Sequence, residues 1–365
     1  MSRVLVAMSG GVDSSAVCLL LRDAGHEVVG MTMRVYDLPQ QFTENNDEPD
    51  FIIKARRLAQ HLGIEHHVVD VREEFRRTIV QNFLDEYSNG RTPNPCVLCN
   101  RDFKFRLLSE MAQQYHCELM ATGHYVKKVV HDHKHFLLMG DDLRKDQSYF
   151  LWRVPQDTLQ RCIFPLGEME KTEVRKYLDE KGFEVHAKQS ESMEICFVEA
   201  DYRDFLRQQR PELTEEVRGG NFVDNSGRKL GEHLGVPFYT VGQRKGLGIA
   251  LGKPAYVLRL NAAKNTIVLG DEADLLTSVF FIEDPVFVDE AEAFAHEALT
   301  VRVRYHSKPV ACRMERLPDT HLILVRTQQP VSAITPGQSA VFYIGNRLVG
   351  GAIIANHKGI GAYGG

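Results

Sequence analysis

The stretch Ser9-Gly10-Gly11-Val12-Asp13-Ser14-Ser15 lies between an apolar run, Val4-Leu5-Val6-Ala7-Met8, and a helical repeat of Val17, Leu20, Leu21 and Ala24 that Gly25 ends. A strand, a glycine turn and a helix in that order read as a cradle for a nucleotide's pyrophosphate. Glycine lets the backbone turn tightly, and the first turn of a helix offers unpartnered N–H groups to an anion. The serine hydroxyls add donors, and Asp13 is suited either to Mg²⁺ or to capping the helix. No lysine follows the glycines in the Gly-Lys-Ser/Thr manner, and the dinucleotide glycine spacing is absent, so both of those loops are excluded. A plain Gly-Ser turn has the same outline, but adjacent glycines flanked by serines and an aspartate favour the cradle.

Outward from this loop the alternation continues. Val28-Val29-Gly30-Met31-Thr32-Met33 predicts a second strand, and Ile52, Ala55, Ala59 and Leu62 predict a helix closed by Gly63. Residues 36–53, acidic and without a basic residue, read as a surface loop. A strand at 66–69, a helix carrying Phe75, Ile79 and Phe83, a loop at 91–95, a helix with Leu108, Met111, Ala112 and Tyr115, and a strand at Leu119-Met120-Ala121 follow. Repeated βα units predict a parallel sheet with helices on both faces, whose ligands gather at the carboxyl ends of the strands. That rule brings residues 9–15, Met33 and Thr122-Gly123-His124-Tyr125 to one crevice. Beyond about residue 210 the pattern changes to short strands and turns. Residues 222–223 and 228–230 predict a hairpin, residues 256–260 and 266–269 another pair, and Leu299, Val301, Val303 and Tyr305 alternate with Thr300, Arg302 and Arg304. The fold class expected is an α/β domain over 1–208, a small β-rich domain over 209–275 and a β-barrel over 276–365.

At 365 residues, 43% hydrophobic and 25% charged, the chain has the size and composition of a soluble protein of two or three domains. No apolar run reaches the roughly 18 residues of a membrane span. The first strand begins almost at Met1, leaving no room for a leader, so a cytoplasmic location and no membrane partner are expected. Seven cysteines, an odd number, argue against a disulfide framework and for reduced thiols. The net charge of −5 conceals segregation: residues 226–269 hold seven Lys/Arg and one acid, and residues 271–292 hold eight acids and no Lys/Arg. Phosphate binding depends on such local patches, although a solvated surface gives the same pattern.

Cys96 and Cys99 form a CxxC within Asn94-Pro95-Cys96-Val97-Leu98-Cys99-Asn100, at the start of a helix, where the dipole is expected to favour the thiolate. Half of a zinc site and a redox pair are the alternatives, but no second CxxC or His pair stands at finger spacing. Cys18, Cys117, Cys162 and Cys312 sit in apolar neighbourhoods and read as core residues. Cys196, in Glu191-Ser192-Met193-Glu194-Ile195-Cys196-Phe197, reads alone as a strand cysteine.

Taken in order, SGGVDSS, NPCVLCN, ATGHY, KDQSYFL (145–151), PLGEMEKTEVR (165–175) and ESMEICF closely resemble the tRNA-specific 2-thiouridylases of the PP-loop ATP pyrophosphatase superfamily. Arg304-Tyr305 and Pro336-Gly337-Gln338 continue the resemblance into the tail. It implies ATP-dependent replacement of the C2 oxygen of a wobble uridine by sulfur, on tRNA. The nucleotide site it implies is Ala7, Met8, Ser9, Gly10, Gly11, Val12, Asp13, Ser14, Met33 and Gly123, with Mg²⁺ beside the phosphates. Cys196 matches the persulfide carrier and Cys99 its partner nucleophile, which leaves a Cys99–Cys196 disulfide after transfer. Asn94, Pro95 and Cys96 match the segment beside the target base, and His124, Lys145, Asp146, Gln147, Arg304, Tyr305 and Gln338 match positions that touch tRNA. The chemistry requires an external persulfide sulfur carrier and a reductant.

Many relatives carry aspartate where this chain has Cys96. A thiol is the weaker general acid, so acid/base help at this position is not carried over. Cys96, Cys99 and Cys196 together also offer three thiolates for an iron–sulfur cluster, a reading ranked below the persulfide route. The further alternatives are another PP-loop adenylating synthetase and a tRNA-binding or sulfur-carrier module.

Overall fold

The computed structural model describes residues 1–42, 48–183 and 195–356. They cluster into two compact units: Met1–Ile79 with Cys96–Glu199 and Asn346–Leu348, and Val80–Pro95 with Ala200–Gly345 and the residues from Val349 onward.

The first unit is built on a five-stranded sheet. β1 (Arg3–Ala7) is its central strand, and Val4, Leu5 and Val6 are fully buried, as a strand covered on both faces requires. α1 (Val12–Asp23) follows, then β2 (Glu27–Arg34), α2 (Asp50–Leu62) and β3 (Glu65–Asp70). Gly63 ends α2 in the left-handed region at φ 62°, the stop expected of a glycine there. α3 (Arg72–Phe75) and α4 (Gln81–Ser88) are joined by a π-helical turn, Arg76–Val80. α5 (Pro95–Leu98) and α6 (Phe105–Gln114) are joined by another, Cys99–Lys104. The sequence reading gave uninterrupted helices here. Phe75 and Phe103 meet edge-to-face at 5.3 Å and tie these two helical runs together. β4 (Leu119–Ala121) returns to the sheet, the hairpin β5 (Val126–His131) and β6 (Lys134–Met139) follows, and α7 (Gln156–Arg161), β7 (Cys162–Ile163) and α8 (Lys171–Glu180) complete the unit.

The strand order is β3-β2-β1-β4-β7, and every neighbouring pair is parallel. β2 and β3 lie on one side of β1, β4 and β7 on the other, so the order reverses between β1 and β4. A crevice opens at such a reversal, outside the carboxyl ends of the two strands. The loops that leave β1 and β4 are residues 8–11 and 122–125.

The second unit begins with helices Tyr202–Gln209 and Pro211–Glu216, a helical stretch that the sequence reading did not give. β8 (Gly220–Val223) and β9 (Lys229–His233) form the expected hairpin. β10 (Tyr256–Asn261) and β11 (Thr266–Gly270) pair antiparallel, in the order β10-β11-β8-β9. The acidic stretch holds β12 (Leu276–Phe287) and a helix, Glu290–Ala295. β13 (Leu299–Arg302) stops before the expected Tyr305, because Ser307 Oγ accepts the N–H groups of Val303 and Arg304 and folds the chain into a turn. β14 (Val310–Arg316), β15 (Ile323–Ser332), β16 (Ser339–Ile344) and β17 (Arg347–Ile354) follow, and β12 pairs with both β15 and β17, closing a barrel of six strands in the order β12-β15-β14-β13-β16-β17. Its core includes Phe280, Ile282, Val301, Val325, Phe342 and Val349. Among the described residues no helix is long and apolar enough to cross a membrane.

Candidate active site

The loop after β1 has a shape only glycine permits. Gly10 has φ 68°, and a Cβ there would lie 2.2 Å from the Phe51 carbonyl oxygen. Ser14 Oγ accepts the Ser9 N–H at 3.1 Å and donates to the Gly11 carbonyl at 3.2 Å, which closes the turn on itself. Gly11 is the N-cap of α1 and lends no side-chain bond, so the N–H groups of the first turn remain available to an anion. Gly123 fits against the same turn: a Cβ there would lie 3.0 Å from Asp13 Cβ and 3.3 Å from the Ser14 nitrogen. Ala7 ends the strand beneath and Met8 opens the loop, and Met33 is half-buried near the end of β2.

Asp13 does not cap the helix. Its Oδ1 accepts from Lys171 Nζ at 2.7 Å and from the Tyr125 hydroxyl at 2.7 Å. Tyr125 belongs to the crevice expected from the strand ends, whereas Lys171, in PLGEMEKTEVR, carries no sequence signal for this site. The residues fit the phosphates of a nucleotide: a glycine cradle, a free helix N-terminus and an adjacent ammonium. They do not form a built metal cage. Among the described residues no group of three or more His, Cys, Asp or Glu is arranged to hold a metal ion.

The thiols belong to the same unit as the cradle. Cys96 lies in α5 and Cys99 opens the π turn. Cys196 stands in a turn beside Phe197, whose buried ring meets Phe75 at 5.7 Å and Tyr36 at 6.1 Å. Residues 191–194 of ESMEICF lie outside the described residues. Cys96, Cys99 and Lys104 all act electrostatically on the Cys196 thiol, so the three thiols and one ammonium form a cluster. The expectation of favoured thiolates is overturned. Burial raises Cys96, pushes Cys99 up to about 11 and Cys196 up to about 12, and the opposing pull of Lys104 is smaller. Cys196 is exposed as a residue, and the protein surrounding its thiol supplies this desolvation. Cys18, Cys117, Cys162 and Cys312 are buried, as expected.

His124 follows Gly123 directly in the chain. It bonds Thr122 Oγ1 at 2.7 Å and stacks on Phe105 at 5.8 Å. Burial and then Lys104 push it down to about 3, so it is a neutral imidazole. Asp146 is buried and shapes its own loop: Oδ1 accepts the N–H groups of Gly140 and Ser148, and Oδ2 the Ser148 hydroxyl. Gln147 Oε1 accepts the Tyr125 N–H at 3.1 Å, and Lys145 is half-exposed.

Within the second unit, two expected segments come together. Gln338 Nε2 donates to the carbonyls of Thr92 at 3.2 Å and Pro93 at 2.8 Å, the Thr92 N–H bonds the Pro336 carbonyl at 2.8 Å, and Asn94 Nδ2 reaches Ser339 Oγ at 3.4 Å. The turn before Pro95 is therefore fastened to the barrel. Arg304 is exposed, and its Nη2 donates to the carbonyls of Val241 and Ala333 and to Thr335 Oγ1. Tyr305 lies beside His306 at 4.0 Å, outside the strand.

Three family models match in succession: a tRNA methyl transferase HUP domain over residues 2–200, a tRNA methyl transferase PRC-barrel domain over 203–271 and an aminomethyltransferase beta-barrel domain over 277–354. The tRNA-specific 2-thiouridylase MnmA 3 of Phocaeicola vulgatus is 55% identical over 359 residues, 98% of this chain and 96% of that protein. The protein of the same name from Bacteroides fragilis is 56% identical over the same shares. The tRNA-specific 2-thiouridylase MnmA of Cytophaga hutchinsonii is 42% identical, covering 96% of this chain and 97% of its own. Among solved structures, a 4-thiouridine synthetase–RNA complex with bound ATP aligns at a TM-score of 0.37 and 17% identity, over 58% of this chain and 51% of that one.

Proposed function

The chain belongs to the tRNA-specific 2-thiouridylases, and on that premise we propose that it performs ATP-dependent tRNA thiolation with a two-part site, placing sulfur at C2 of the wobble uridine. ATP binds with its phosphates on residues 9–14 and at the start of α1. The C2 oxygen is a poor leaving group, and transfer of AMP to it, with release of pyrophosphate, makes its departure feasible. Loop N–H groups hold the charge that develops on the displaced phosphates. A persulfide on Cys196 then supplies the sulfur. Cys99 attacks the inner sulfur, the outer sulfur passes to C2 as AMP leaves, and a Cys99–Cys196 disulfide remains. An external persulfide donor loads Cys196 and an external reductant reopens the disulfide. Asn94, Pro95 and Cys96 receive the target base, while the segments carrying His124, Lys145, Asp146, Gln147, Arg304, Tyr305 and Gln338 serve the tRNA. The working division of labour is nucleotide and sulfur chemistry in 1–208, with 209–275 and 276–365 for tRNA, in the cytoplasm.

One observation carries this reading. The glycine cradle and a cluster of three thiols occupy one unit, joined by the short segment in which Gly123 fits against Asp13 and His124 feels Lys104. Two of the matching family models are named for methyl transfer, but an ATP cradle and a cysteine pair in one unit suit thiolation. The test is mass analysis of tRNA nucleosides after incubation with ATP, a persulfide donor and a reductant. The expected product is 2-thiouridine, lost in Cys196→Ser and in Asp13→Ala; its absence with the unaltered chain rejects the reading.

A further inference from the structure

The cradle carries no cation of its own. Residues 9–15 contain no basic side chain, and their one charged group is the carboxylate of Asp13, which on its own repels phosphate. The missing charge arrives from the far end of the unit. Lys171 is the first residue of α8, and its side chain is only 12% exposed, with Nζ 2.7 Å from Asp13 Oδ1 and 5.7 Å from the centre of the Tyr125 ring. Its position is built. The Lys171 N–H bonds Oδ2 of Asp142 at 3.2 Å, and Asp142 is buried with its other oxygen on the Arg144 N–H. Tyr125, which shares Asp13 with Lys171, has its own N–H held by Gln147. Holding a long, flexible ammonium in a half-closed place costs side-chain entropy and desolvation, so three supports for one lysine call for a use.

We propose that Lys171 is the phosphate-binding cation of this loop. With nucleotide bound, its ammonium turns from Asp13 to the β- and γ-phosphates and remains with them as pyrophosphate departs. The Tyr125 hydroxyl stays on Asp13, so that carboxylate keeps a donor when the lysine leaves. This rests on reading the loop as an ATP site, and it adds the residue that discriminates pyrophosphate from the rest of the nucleotide.

The test titrates the full chain calorimetrically with inorganic pyrophosphate and, separately, with AMP. Lys171→Met is expected to weaken pyrophosphate binding by about tenfold or more, the scale of losing a charge-assisted contact, and to leave AMP within about twofold. Lys171→Arg keeps the charge and is expected to restore pyrophosphate binding to within about threefold of the unaltered chain. Equal loss of AMP and pyrophosphate in Lys171→Met, no loss of either, or no rescue by Lys171→Arg overturns the assignment. If the unaltered chain binds neither ligand, the ATP reading of the loop falls first and takes the assignment with it.

Discussion

Cys96, Cys99, Cys196 and Lys104 lie close enough to act on one another's charge, and at each thiol desolvation outweighs the ammonium. The thiolate is the nucleophile, and with Cys99 raised to about 11 and Cys196 to about 12 both are protonated at neutral pH. Alkylation by iodoacetamide should therefore be slow at pH 7 and climb about tenfold per pH unit through pH 9, without the plateau of an activated thiol. A plateau near neutrality would show that the cluster activates its thiols after all. Lys104 lowers Cys99, so Lys104→Met is expected to slow Cys99 alkylation at a fixed pH, read by peptide mass analysis; an unchanged rate removes the ammonium from the account. Cys96→Ser should retain thiolation while Cys99→Ser and Cys196→Ser abolish it, because the persulfide route uses only two thiols. The positions of these cysteines were legible in the motifs. Their protonation was not, because helix position is local whereas burial is set by residues distant in sequence.

The glycine turn between β1 and α1 is the element on which nucleotide handling depends, and two glycines separate its shape from general backbone freedom. Gly10 has φ 68° and its missing Cβ would strike the Phe51 carbonyl, which belongs to α2 and cannot yield without moving that helix. Gly10→Ala is expected to reduce ATP-dependent pyrophosphate release by about a hundredfold, since a displacement of about an ångström at a positioned site costs that much. Gly25 also lies in the left-handed region, at φ 81°, but has open space around it. Gly25→Ala should cost about 1 kcal/mol of stability and leave turnover intact. Turnover falling alike in both variants would mean the Gly10 contact has no special role. β1, the turn and α1 were legible because an apolar run, glycines and a helical repeat are local signals. The π turn that holds Cys99 was hidden, since one extra residue barely disturbs a helical repeat. The hairpin β5–β6 was hidden too, by Lys127, Lys128, His131, Asp132, His133 and Lys134. Lys171 is 158 residues from Asp13, and no spacing rule links them.

For the molecule as a whole, desolvated imidazoles set the acid limit, His233 buried and His66 and His124 half-buried. His66, bonded to Thr32 at 2.9 Å, is held down at about 4 by burial and by Arg56; His124 is held at about 3; His233, which accepts the Gly235 N–H at 3.0 Å, is held at about 4 by burial. Each has a folded-state value below the usual 6.5, so between those values the unfolded chain binds more protons than the folded one. Stability from these groups is complete above 6.5 and is lost as pH falls toward the folded-state values. The carboxylates held low, among them Asp37, Asp70, Asp142 and Glu48, act in the same direction but only from their usual values downward, 3.8 for aspartate and 4.5 for glutamate. The window from 6.5 to about 4.5 therefore belongs to histidine. Calorimetric melts across it should show the thermal midpoint falling steadily with acidity. Unfolding at pH 5 should take up protons, visible as a dependence of the apparent enthalpy on the buffer's ionisation enthalpy. A midpoint that stays level from pH 6.5 to 4.5 would mean that these imidazoles meet solvent and titrate in the folded chain.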